Sequence, residues 1–197
     1  MTASTCLRLS AALVLAATAL AIPMAHAHAQ SQSQSQSQAQ AQAQGQAHVH
    51  GVATLDIAVD GSRISLLLVS PLDNLLGFEH EPGNDAEQMR AKAAINKLRD
   101  GTALFRFDAR ARCTLAQVTL DAPLLKLGSA AAEASGHGSL VGSYAFDCAE
   151  VGQVTAIEVG LFAPFSRMQR IEVQAATAQG QFKRTLERPE GRLALMR

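Results

Sequence analysis

The sequence of 197 residues predicts an α+β fold: two split β-α-β halves related by a pseudo-twofold axis, mostly antiparallel sheet with a few short helices. Three observations carry this expectation. Most of the chain after residue 47 alternates apolar and polar residues with the period of a strand. Two stretches carry helix start and stop residues instead. Finally, Ile64, Leu66, Pro71 and Glu79 recur at a constant offset of 93 as Ile157, Val159, Pro164 and Glu172, and His50-Gly51 recurs as His137-Gly138. Each half would then read His-Gly, strand, turn, strand, Pro, short helix.

Residues 1–29 read as a secretory signal. One positive charge at Arg8 precedes the apolar run LSAALVLAATALAI, and Pro23 precedes small-residue cleavage sites at Ala25 to Ala29. The run is shorter than the ~20 apolar residues that span a bilayer, and Cys6 lies before it, where it cannot serve as a lipid anchor after cleavage. The expected mature chain is exported and not inserted in a membrane. Residues 30–46, QSQSQSQSQAQAQAQGQ, hold neither large apolar residues nor charges and read as a disordered leader. Residues 47–197 are then one domain, long enough for a real core.

Within that domain Leu55, Ile57 and Val59 share one strand face, Asp60-Gly61 supplies a tight hairpin turn, and Ile64, Leu66 and Leu68 line the returning strand. SPLDNLLG predicts a short helix with Ser70 as N-cap, Pro71 at the first position and Gly77 as the stop. A longer helix is expected over residues 85–99, with Asn84 and Glu87 as a capping pair, Gly101 as terminator and Ala91, Ala94, Ile95 and Leu98 as its buried stripe. Alternation then gives strands around Ala103–Phe105–Phe107, Ala116–Val118–Leu120 and Leu140–Gly142–Tyr144–Phe146–Cys148. Further strands follow at residues 157–161, 171–177, 182–186 and in the terminal RLALM. Residues 121–138 are read as a loop of mostly small residues.

Composition excludes several classes of partner. With 17 basic and 17 acidic residues there is no field to gather nucleic acid or anionic lipid, and no Trp with a single Tyr gives little stacking surface. Only Cys113 and Cys148 remain after signal removal. An even count in an oxidising compartment, one cysteine opening a strand and the other ending one on its apolar face, points to a disulfide between them.

The four histidines of the domain point to metal. In an extended segment residues i and i+2 face the same way, so His48 and His50 can present both imidazoles to one ion. His80, flanked by Glu79 and Glu81, follows the short helix, and His137 precedes a strand; none lies in an apolar stripe. Imidazole with carboxylate suits Zn²⁺ best, with Cu²⁺ and Ni²⁺ as alternatives and Mg²⁺ a poor fit. The candidate ligands are His48, His50, Glu79, His80 and His137, with Glu79 either a ligand or the outer acceptor that orients an imidazole. No HExxH or nucleophile motif accompanies them, so an enzyme is not expected.

HVHGVATLDIAVDG, LLLVSPLDNLLGFEHEP, HGSLVGSYAFDC and VGLFAPFSRMQRIEVQ together resemble the ZrgA-like zinc-regulated periplasmic proteins, over nearly all of residues 47–195. The resemblance implies a periplasmic zinc-binding protein that helps zinc acquisition, assisting a zinc ABC importer and its periplasmic binding component. It also implies a pseudo-twofold fold with the metal between the halves. It carries the HxHG histidines to His48 and His50, the FEH histidine to His80, and the histidine before the Cys148 strand to His137. Members of the family often have a His- and Asp-rich loop before that strand. Here the loop is rich in Ala and Leu, so one central site is expected rather than a metal-collecting loop. The alternative is a metal-free periplasmic interaction module.

Overall fold

The structure is a computed structural model that describes residues 49–128 and 138–195. The expected signal segment, the Gln-rich leader, His48 and the end of the small-residue loop with His137 lie outside the described residues. The fold class is the expected one. Among the described residues nine strands form two largely antiparallel sheets, joined by short helices.

Strand β1 (Val52–Asp60) turns at Asp60-Gly61 into β2 (Arg63–Pro71), with Asp60 opposite Arg63. Gly61 sits at φ 55°, a left-handed conformation that glycine takes at little cost. The other strands are β3 (Phe105–Phe107), β4 (Cys113–Asp121), β5 (Ser139–Cys148), β6 (Ala156–Val159), β7 (Arg170–Thr177), β8 (Gly180–Glu187) and β9 (Arg192–Ala194). The larger sheet runs β4-β5-β2-β1-β7-β8 and the smaller β3-β6-β9. Every pairing is antiparallel except β1 with β7, which is parallel and sets Leu55 beside Val173. The two members of the sequence echo sit in different sheets, Ile64 in β2 and Ile157 in β6. The recurrence of residues is therefore not matched by a recurrence of pairing.

Helices α1 (Leu72–Leu76), α2 (Asp85–Arg99) and α3 (Gly101–Leu104) fill the connections. The expected start of α1 is corrected by the structure. Pro71 is the N-cap and no side chain caps it; the Ser70 hydroxyl instead donates to the Pro71 carbonyl and accepts from Asn74. Gly77 ends α1 as expected, at φ 83°, donating its N–H to the Asp73 carbonyl. Asn84 caps α2 by accepting from the Glu87 N–H at 3.0 Å, while Glu87 reaches back to the Gly83 N–H. Gly101 does not stop the chain: Asp100 ends α2 and caps α3, so Ala103, expected in a strand, is helical.

Ala91, Ala94 and Leu98 of α2 are buried in the same cluster as Leu55, Ile57, Ile64, Leu66, Leu68, Tyr144 and Phe146 of the larger sheet and Ile157 and Leu193 of the smaller. Tyr144 donates to the Leu98 carbonyl at 2.9 Å and meets the Phe105 ring edge-on. Burial pushes its hydroxyl well above the ordinary value, so it remains a neutral donor. A bulge between Leu115 and Gln117 displaces Ala116 from the expected inner face of β4. The inward positions are Cys113, Leu115, Val118 and Leu120. Cys113 lies directly opposite Cys148, and the two are joined by a disulfide as predicted.

Between β6 and β7 a series of turns buries Leu161, Phe162, Phe165 and Met168. The Arg188 guanidinium holds them together, donating to the carbonyls of Phe162, Phe165 and Met168 and lying over the Phe162 ring. This packing positions Arg167. Among the described residues, no helix is long and apolar enough to cross a membrane.

Candidate metal centre

The site is assembled around α1, whose five residues are all buried, the polar Asp73 and Asn74 included. Buried polar side chains require partners, and those of Asn74 define the entrance to β1. Its carbonyl oxygen accepts the Gly51 N–H at 2.6 Å, and its amide donates to the Val52 carbonyl at 2.8 Å and the Ser70 hydroxyl at 3.2 Å. Gly51 lies at φ 83°, and its carbonyl accepts both the Gln169 and Arg170 N–H groups. The residue bonded to His50 is thus fixed from two sides, by α1 and by the start of β7. The same helix also holds Gly138, because the Leu72 N–H donates to the Gly138 carbonyl at 2.6 Å.

His50 is 61% exposed, yet its ring has defined neighbours on both nitrogens. Nε2 faces Glu79 Oε2 at 3.3 Å, and Nδ1 faces Asp73 Oδ2 at 4.0 Å. Glu79 is held in place by Gly138: a Cβ on that glycine would lie 2.5 Å from the Glu79 Cβ. The second carboxylate oxygen of Glu79, Oε1, is buried and has no hydrogen-bond partner among the described residues. Asp73, only 11% exposed, is gripped by Arg167, which donates Nη2 to both carboxylate oxygens at 2.8 and 2.9 Å and Nε to Oδ2 at 3.1 Å.

The sequence-derived candidates are therefore placed as follows. His50 and Glu79 come together. His80 stacks on Phe78, with ring centroids 4.9 Å apart, and its Nδ1 lies 2.9 Å from the Glu81 carbonyl. When that nitrogen carries the hydrogen, Nε2 keeps a free lone pair. His48 and His137 lie outside the described residues, one bond from Val49 and Gly138. Among the described residues no group of three or more His, Cys, Asp or Glu side chains is gathered as for a metal ion.

Sequence reasoning missed Asp73, Asn74 and Arg167. The first two could have been found, because DN between leucines in a helix that buries every residue demands polar partners. Arg167, 94 residues from Asp73, has no local signature.

His50 and Glu79 are donors of a kind that zinc takes, and among the described residues this pair alone converges. With Zn–N of about 2.0–2.1 Å and Zn–O of about 2.0–2.2 Å, two donors of a tetrahedral site stand about 3.3–3.5 Å apart. The 3.3 Å from His50 Nε2 to Glu79 Oε2 lies in that range. The same contact is an ion pair when the imidazole is protonated.

The family described as ZrgA family zinc uptake protein matches residues 47–195. No curated protein matches the chain.

Proposed function

As the chain belongs to the ZrgA family of zinc uptake proteins, we propose that it is a periplasmic zinc-binding protein that captures one zinc ion at the His50–Glu79 edge and assists a zinc ABC importer through that importer's periplasmic binding component. His50 and Glu79 supply two donors. His137 and His48, bonded to the anchored Gly138 and to Val49, and His80, which follows Glu79, are the candidates for the remainder. Zinc is cargo in this reading, and no chemistry is asked of the protein beyond binding and release. It is proposed as a carrier, not an enzyme.

One observation carries the reading: a histidine nitrogen and a carboxylate oxygen at the edge length of a zinc tetrahedron, with Gly51 and Gly138 both tied to one short helix. The competing reading, a metal-free interaction module, draws on the absence of a third converging donor among the described residues. Titration calorimetry of chelator-stripped protein with zinc separates them. One tight site, lost in the His50→Ala, His137→Ala double variant, supports the carrier; affinity unchanged in that variant removes it.

A further inference from the structure

The whole chain balances 17 basic against 17 acidic residues, but α2 does not share that balance. After Glu87 it carries Arg90, Lys92, Lys97 and Arg99 and no acid. None of the four has a carboxylate within ion-pair distance among the described residues. Lys97 and Arg99 stand in the last turn, where they complement the negative end of the helix dipole; Arg90 stands mid-helix and gains nothing from it. The helix turns Ala86, Met89, Arg90, Ala93 and Lys97 to solvent, at the spacing i, i+3, i+4, i+7 and i+11 that makes one face, away from buried Ala91, Ala94 and Leu98. Met89 on that face is 65% exposed, and among the described residues only Val49 is a second large hydrophobic left exposed.

Arg90 borders a second cation. Its Nη1 donates to the Leu76 carbonyl at 3.2 Å, at the C-terminal end of α1, and Arg167 reaches the same helix, donating Nε to the Asp73 carbonyl at 3.1 Å. Both side chains lie over Gly77: a Cβ there would sit 3.6 Å from Arg167 Cδ, 3.8 Å from its Nε and 3.9 Å from Arg90 Nη1. Arg90 Nε and Nη2 and Arg167 Nη1 have no hydrogen bond among the described residues. Asp73 balances the charge of Arg167, whereas that of Arg90 is unmatched. Two guanidinium groups over a glycine make a seat for a carboxylate, which arginine grips through paired hydrogen bonds.

We infer that the outward face of α2, bordered by Arg90 and Arg167, is the docking surface for an acidic partner protein, which seats a carboxylate over Gly77 and takes Met89 into an apolar pocket. This deepens the assisting role proposed above and rests on it, the partner being the importer's periplasmic binding component; it does not depend on which side chains hold zinc. A helix laid by one face into a partner's groove is a recurrent mode of recognition, and methionine adapts to an irregular pocket. A lipid surface fits less well, because a helix lying in a membrane needs a broad apolar face, and Met89 stands among alanines and cations. A second copy also fits less well: a twofold contact sets the same patch against itself, and here Arg90 and Lys97 would face their own kind.

Calorimetry of the protein with the purified binding component of the importer tests this. Binding should weaken as salt is raised. Arg90→Glu and Met89→Ser should each weaken it about tenfold or more, while Lys183→Glu, the same change of charge on β8, should not. Circular dichroism confirms the fold, and Met89→Ser, a wholly surface change, keeps the test sound if Arg90→Glu does not fold.

Equal weakening by Arg90→Glu and Lys183→Glu would mean that overall charge and not this face is read, and overturns the inference. Unchanged binding in Arg90→Glu and Met89→Ser overturns it as well, and leaves the assisting role standing. Binding to phosphatidylglycerol vesicles, or self-association in sedimentation, either one abolished by Arg90→Glu, would give the face to lipid or to a second copy and overturn it too. If the wild type does not bind the importer component at any salt concentration, the assisting role itself fails and takes this inference with it. Zinc capture is read separately, by titrating zinc alone.

Discussion

Gly138 packs so closely on Glu79 that a Cβ in its place would lie 2.5 Å from the Glu79 Cβ and 3.1 Å from its Cα. The contact ties the entrance of β5 to the residue that offers a carboxylate to His50. Glycine is required here for space. Gly138→Ala must displace Glu79 or the β5 entrance, which should cost about 1–3 kcal/mol of stability. It should also weaken zinc binding, although no ligand atom is altered. Thermal melts and zinc titration of the variant check both.

Asn74 bonds Gly51, Val52 and Ser70 from a position 1% exposed. Asn74→Ala leaves the Gly51 N–H and the Val52 carbonyl without their partner, at an expected cost of about 2–3 kcal/mol. Because Gly51 is bonded to His50, zinc affinity should fall with stability. Denaturant unfolding and calorimetry of the same preparation measure the two; unaltered zinc affinity in a folded Asn74→Ala protein would show that this clamp does not position His50.

The Cys113–Cys148 disulfide closes a chain segment with a sequence separation of 35. On the chain-entropy model that closure stabilises the fold by about 4 kcal/mol. The Cys113→Ser, Cys148→Ser protein should lose about that amount in urea unfolding. Intact mass before and after reduction should differ by two hydrogens.

Asp108 accepts three hydrogen bonds, from the Thr155 N–H, the Thr155 hydroxyl and the Ala156 N–H. These hold its carboxyl below the ordinary value of 3.8. A folded-state value below the unfolded one stabilises the protein above the unfolded value, and the gain is lost as pH falls through the folded value. Asp108→Asn should therefore melt lower than wild type at neutral pH, with the gap closing below about pH 4. A gap that does not change between pH 7 and pH 3 would count against this role.

Alternation made the central strands legible: in β5 the set Leu140, Gly142, Tyr144, Phe146 and Cys148 is buried at every position expected. The signal failed where local chemistry diverted the chain. Ala116 falls at a bulge, Ala103 in a turn of helix capped by Asp100, and Ser70 spends its hydroxyl on a carbonyl and on Asn74 instead of capping α1. His50 and Glu79, both named as candidates from short motifs, do lie together at 3.3 Å. Their surroundings were not legible, since Asp73 and Arg167 meet only through tertiary packing, and spacing along the chain carries no trace of that.

The parallel pairing of β1 with β7 has a consequence in time. Leu55 finds its β2 partner Leu68 across a hairpin, but its other neighbour, Val173, lies about 120 residues further along the chain, so that pairing closes a far longer loop and forms later. Until then β1 is an edge strand, and Gly51 lacks the Gln169 and Arg170 donors that anchor it. A chain ending before β7 keeps the Asn74 bond to Gly51 but lacks the second clamp on the residue bonded to His50. The clamp on Gly51 is thus completed only when two segments far apart in the chain have met.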